Sequence, residues 1–135
     1  MKVVKHNGYT RPTPVQMQAM PIMYEKRDAI VLAETGSGKS LSFLAPLIHM
    51  HNKGDGIKAV VVAPTRELAI QLYKEFLIFG KIAGGDTKNE LGHARVKFLR
   101  KALTPRNQEQ FKDFVNSCEI LISTPLKLAE LLEKF

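Results

Sequence analysis

Hydrophobic and polar positions along the chain follow two rhythms. Ala29-Ile30-Val31-Leu32-Ala33, Ala59-Val60-Val61-Val62-Ala63 and Glu119-Ile120-Leu121-Ile122-Ser123 are short runs dominated by branched apolar residues. Such runs are expected of strands buried on both faces of a parallel sheet. Between them lie stretches with helical spacing. One runs from Lys39 to about His51, with Pro46 expected to bend it. A second runs from Arg66 to about Phe79, apolar at Leu68, Leu72, Phe76 and Phe79, and a third from Leu126 to Phe135. Thr13-Pro14 opens an earlier helix, threonine as N-cap and proline in the first turn, and Pro21 is expected to restart it as a second short helix. Met17, Met20 and Met23 repeat at helical spacing and are expected in the core. A weaker strand is expected over Val96 to Leu99 and a short helix over Gln108 to Phe114. Gly54-Asp55-Gly56 and Gly84-Gly85-Asp86 read as turns, and Gly80 to Asn107 as the most mobile segment. Strands alternating with helices predict an α/β fold, a parallel sheet with helices on both faces.

Composition changes this picture little. A length of 135 residues fits one domain, and 44% hydrophobic residues suffice for a core. The net charge of +7 favours an anionic partner such as nucleic acid, although a basic solvated surface explains it equally well. A single cysteine, Cys118, excludes an internal disulfide and fits a reducing, intracellular compartment. No apolar run reaches the roughly 18 residues of a membrane span, so no membrane partner is expected. Met1 to Tyr9 is too polar for a secretory signal. His49 and His51 stand two apart in a helical stretch and make a poor metal pair.

The candidate chemistry lies after the first apolar run. Ala33-Glu34-Thr35-Gly36-Ser37-Gly38-Lys39-Ser40 follows an expected strand and opens an expected helix, the setting of a phosphate-binding loop. Gly36 and Gly38 let the backbone curl with its N–H groups inward, and the helix start adds partial positive charge. Lys39 and Ser40 are the catalytic candidates. Lys39 reaches the β- and γ-phosphates, while the Ser40 hydroxyl faces Mg²⁺ as the metal ligand. Thr35, Gly36, Ser37 and Gly38 complete the nucleotide-binding set. The bland alternative is a glycine-rich turn that binds nothing.

With the loop in place, the flanking residues resemble a known family, the DEAD-box ATP-dependent RNA helicases. Gly8 to Gln16, read Gly-Tyr-Thr-Arg-Pro-Thr-Pro-Val-Gln, is similar to the family's Q motif. Ala33 to Ser40 resembles motif I, Pro64-Thr65-Arg66-Glu67-Leu68-Ala69 motif Ia, and Ser123-Thr124-Pro125-Leu126-Lys127-Leu128 motif Ib. The resemblance implies a RecA-like fold spanning residues 1–135 as part of one ATP-binding domain. It implies ATP with Mg²⁺ as cofactors and RNA as the partner. Gln16 would read the N6 and N7 edge of adenine, a role its amide can serve because it donates and accepts at once. By itself a helical glutamine more often faces solvent. Tyr9 would pack this segment near the base and Arg11 would lie along it. Pro64, Thr65, Arg66, Glu67, Thr124 and Pro125 would meet the RNA backbone without reading its sequence. Read alone, Thr65 and Thr124 are as well explained as helix N-caps.

The sequence departs from the family pattern in places. Gly84-Gly85 follows the motif Ia helix too early to be the family's Gly-Gly motif, and Lys127 replaces an arginine. The Asp-Glu-Ala-Asp and Ser-Ala-Thr motifs and the arginine fingers are not found in these 135 residues. The expectation is therefore a piece of a longer helicase, inactive alone, with a sheet edge open to association. Gln16 to Pro21 and Ile122 to Leu126 are similar to the branch acting in small-ribosomal-subunit assembly. That would imply ribosome-assembly partners and a nuclear or nucleolar site, and otherwise a cytoplasmic one. Two other readings stand beside this one: a P-loop phosphotransferase, and a non-catalytic RNA-binding module.

Overall fold

The computed structural model describes residues 11–50, 56–82, 90–91, 94–99 and 106–134. It divides into two compact units, residues 1–51 and 52–135.

In the first unit, helix α1 (Pro14–Tyr24) packs on α2 (Lys39–Met50). Thr13 has extended backbone at the N-cap and Pro14 fills the first helical position, as the sequence predicts. Pro21 does not restart the helix. It lies inside α1, which runs unbroken to Tyr24 and ends where Lys26 takes a positive φ of 56°. Ala19 is buried on α1, and Leu41, Leu44 and Pro46 are buried on α2. Met17 departs from the expected core role, being 56% exposed.

The largest departure is at Ala29–Ala33. These residues form no strand, and Ile30 and Leu32 are 93% and 91% exposed. A strand requires a neighbouring backbone to pair with, and no described segment pairs with this one.

The second unit holds the sheet. Its strands are β1 (Ala59–Val62), β2 (Glu90–Leu91), β3 (Ala94–Phe98) and β4 (Ile120–Ser123), in the order β1-β4-β3-β2. Helices α3 (Arg66–Ile82), α4 (Gln108–Asn116) and α5 (Pro125–Lys134) accompany them. β4 lies between β1 and β3, parallel to both, and β2 adds an antiparallel edge. Side chains alternate across β4. Leu121 joins Leu99, Phe114, Cys118 and Leu131, packed against α4 and α5. Ile120 and Ile122 take the opposite face, with Phe98, their neighbour on β3, meeting Tyr73 of α3. Helices therefore cover both faces, as the rhythm predicts. β1 departs from expectation in one respect. It is an edge strand, with burial alternating along it rather than complete, and Val60 and Val62 are half-exposed.

The remaining helices match the sequence reading closely. α4 begins at an Asn107 N-cap whose Oδ1 accepts the Gln110 N–H at 2.9 Å. Gly84-Gly85-Asp86, Gly54-Asp55 and Tyr9 lie outside the described residues, as does most of the segment expected to be mobile.

Candidate nucleotide and RNA sites

The phosphate loop keeps its curl through two glycines. Gly36 has φ +80° and Gly38 φ +90°, conformations that a Cβ disfavours. The Ser37 N–H donates to the Glu34 carbonyl and closes the turn at 3.3 Å. Helix α2 then starts at Lys39, leaving its first N–H groups without intrahelical acceptors. The Lys39 ammonium turns back over the loop and donates to the carbonyls of Ala33 and Glu34. The Ser42 hydroxyl donates to the Lys39 carbonyl at 2.5 Å. Ser37 Oγ is buried with no hydrogen-bond partner among the described residues, an orphan hydroxyl inside the loop. Thr35 and Gly36 are exposed at the loop tip, and Ser40 is half-buried in the first turn of α2.

Gln16 is not a solvent-facing glutamine. It is 3% exposed, and both ends of its amide are engaged. Its Oε1 accepts the Thr13 N–H at 3.0 Å, and its Nε2 donates to the Gly38 carbonyl at 3.1 Å. The first bond is the Gln16 half of a capping box at the start of α1; the Thr13 hydroxyl is buried and makes no cap hydrogen bond among the described residues. The second crosses 22 residues of sequence into the phosphate loop. Thr13-x-x-Gln16 is legible in the sequence as a capping box; the crossing to Gly38 carries no sequence signal. A Cβ on Gly38 would stand 2.4 Å from Gln16 Nε2, so a larger residue would have to displace that amide and would also be strained at a φ of +90°. Arg11 is exposed just ahead of this segment. Beside the loop, Thr13, Val15, Ala19, Ile22 and residues 29–34 line a cleft of about 690 Å³.

In the second unit the two candidate RNA segments come together. Motif Ia residues follow β1 and motif Ib residues follow β4, and these strands are parallel neighbours in register, Val62 beside Ser123. The Ala63 N–H donates to the Ser123 carbonyl at 2.9 Å, so the two strand-to-helix junctions lie side by side at the carboxyl edge of the sheet. α3 and α5 both begin there, each offering the partial positive charge of a helix start. Pro64, Thr65, Arg66, Glu67 and Pro125 are exposed, and Thr124 is half-buried. Thr65 caps α3, its Oγ1 accepting the Leu68 N–H at 3.3 Å. Lys127 is engaged by Glu130 on the same helix. Among the described residues, no group of three or more histidine, cysteine or acidic side chains could hold a metal. No helix there is long and apolar enough to cross a membrane.

A family model for DEAD/DEAH box helicases matches residues 13–135. The probable ATP-dependent RNA helicase ddx52 of Dictyostelium discoideum is 37% identical over 130 residues, covering 94% of this chain and 18% of that protein. The probable ATP-dependent RNA helicase DDX23 of Homo sapiens is 37% identical over 143 residues, covering 98% of this chain and 16% of that protein. Among solved structures, the RNA helicase Prp28 of Chaetomium thermophilum bound to ADP superimposes with a TM-score of 0.72 at 34% identity, covering 98% of this chain and 31% of that one. A DEAD box protein of Methanococcus jannaschii gives a TM-score of 0.74 at 28% identity, covering 98% and 33%. The chain thus spans less than a fifth of these curated relatives' length.

Proposed function

The chain belongs to the DEAD/DEAH box helicase family, and on that premise we propose that it forms the ATP-binding and RNA-contacting part of an ATP-dependent RNA helicase. The observation that carries this is the bond from Gln16 to Gly38, which makes the Q-motif helix and the phosphate loop one hydrogen-bonded unit. A generic phosphate loop has no need of that link.

The residues present fit a nucleotide with its metal. The orphan Ser37 hydroxyl, the open N–H groups of α2 and the two flexible glycines form an anion cradle. Lys39, whose ammonium donates to two neutral carbonyls of the loop, is the cation available to the β- and γ-phosphates. Ser40 supplies the hydroxyl for Mg²⁺, and the ion when bound neutralises charge developing on the transferred phosphoryl group. Gln16 retains a second amide N–H and a second lone pair, enough to meet the adenine edge. Arg11 lies on the approach to it.

The paired junctions at Pro64–Glu67 and Thr124–Pro125 support a surface for a phosphodiester backbone. Capping by Thr65 does not oppose this, since the N–H groups of the first turn and the Arg66 guanidinium stay available. The phosphotransferase alternative leaves the juxtaposition of these two helix starts without a role. A place in small-ribosomal-subunit assembly rests on the Gln16–Pro21 and Ile122–Leu126 strings and on the lack of the family's Gly-Gly motif after the motif Ia helix. Among the relatives, one from Mycosarcoma maydis is named for pre-mRNA processing at 35% identity, so likeness does not choose the pathway.

Calorimetry with Mg²⁺ tests the nucleotide reading. ATP is expected to bind this chain, GTP not, and Lys39→Ala to abolish the signal. Equal binding of ATP and GTP would replace the helicase reading with a generic phosphate-loop protein.

A further inference from the structure

Two segments of this chain lack a partner in complementary ways. Along Ala29–Ala33 exposure alternates, with Ile30 at 93%, Val31 at 38% and Leu32 at 91%, the period of a strand in a segment that forms none. β1 has the matching vacancy. Its ladder neighbour is β4, and the backbone groups on its other side face no strand among the described residues. Val60 and Val62 are the exposed members of its own alternation.

The two segments also agree in order and in charge. Asp28-Ala29-Ile30-Val31-Leu32-Ala33-Glu34 set beside Lys58-Ala59-Val60-Val61-Val62-Ala63-Pro64 brings Ile30 against Val60 and Leu32 against Val62. Asp28 then meets Lys58, and Glu34 falls beside Pro64, close in sequence to Arg66. Run in the opposite direction, Ile30 meets Val62, Leu32 meets Val60 and Glu34 meets Lys58, so the match holds either way. Opposite charges across a strand pair are favourable and like charges are not. Asp28, Glu34, Lys58 and Arg66 are all exposed, and none is in an ion pair among the described residues.

We propose that the free edge of β1 is a docking site for Ala29–Ala33 of a second copy of this chain, added to the sheet as a further strand. The occupant follows from the match, since the chain itself supplies a segment with the apolar spacing and the opposite charge that the edge calls for. Each copy carries one donor segment and one acceptor edge, so the contact is heterologous, and copies either exchange segments in a closed pair or continue from one to the next. A contact of one short strand lies at the small end of protein interfaces. It therefore forms at high concentration, and in dilute solution Ile30 and Leu32 stay open to solvent.

Sedimentation of this chain over a concentration series tests the proposal. One variant carries Asp28→Lys with Glu34→Lys, the other Lys58→Glu with Arg66→Glu. Wild type should associate as concentration rises. Each variant alone sets like charges against each other and should need about tenfold more protein to reach the same mass. Mixed, the two restore opposite charges at both contacts and should associate as wild type does. Val31→Pro supplies a third variant. It removes a ladder donor from a segment that forms no strand in the single chain, so it should abolish association while the dilute protein keeps its melting temperature. Amide exchange at residues 30–33 should slow only at the concentrations where mass rises. A wild type that stays monomeric overturns the proposal, and so does a mixture no more associated than either variant. Protection of residues 30–33 that is independent of concentration overturns it as well, because the segment then pairs within its own chain.

Discussion

Ala29–Ala33 and Ile120–Ser123 are close in composition and opposite in surroundings. Ile120, Leu121 and Ile122 are at most 1% exposed, whereas Ile30 and Leu32 lie almost wholly in solvent. The second segment has a parallel neighbour on each side and helices on both faces. The first has neither among the described residues. The contrast teaches that a run of branched apolar residues states a demand for partners and does not itself make a strand.

The most direct way to break this contrast is to truncate both segments. Ile122→Ala should lower stability by about 3 kcal/mol, the cost of a cavity in a packed core, read as a shifted urea midpoint. Leu32→Ala should change it by less than about 0.5 kcal/mol, as at an exposed site. Equal losses would mean that Ala29–Ala33 is buried in solution and that the contrast is wrong. Gly38→Ala comes next. Positive φ and the clash with Gln16 should together cost about 2 kcal/mol and remove nucleotide binding by calorimetry. Adding Gln16→Ala should relieve the crowding but not the backbone strain. On the side of the sheet, Asn107→Ala should cost about 1 kcal/mol through the lost N-cap of α4, again by urea unfolding. The smallest effect concerns Tyr24, whose phenol is pushed above its ordinary value of 10.0 by burial. A group with a raised folded-state pKa contributes stability in full below its unfolded value and loses it as pH rises through the folded one. Tyr24→Phe and wild type should therefore keep a constant difference up to about pH 9 and diverge above it, with the variant relatively more stable, as followed by melting temperature against pH.

Much of this was legible in the sequence where the determinants are local. Thr13-Pro14 marks the start of α1, and the spacing of Leu68, Leu72, Phe76 and Phe79 marks α3, because caps and periodicity act within a few residues. The curl of the Ala33–Ser40 loop was legible for the same reason, since Gly36 and Gly38 take the positive φ that their residue type allows. What failed depends on distant chain. The exposure of Ile30 and Leu32, and of one side of β1, follows from which strands lie adjacent, which no local pattern encodes. Pro21 misled because an interior proline removes only one backbone hydrogen bond, and α1 continues past it to Tyr24 with the ring left exposed. The Gln16–Gly38 bond lay beyond the sequence as well, since only the packing of α1 on α2 brings those positions together.

Cys118 carries a consequence of a different kind. It is the chain's single thiol and has no exposed surface, enclosed with Leu99, Phe114, Leu121 and Leu131. A thiol-specific reagent can reach it only when that cluster opens, so the labelling half-life is a clock for opening of the sheet unit. The clock reads the unit that carries the candidate RNA surface, so an RNA that binds there should lengthen the half-life.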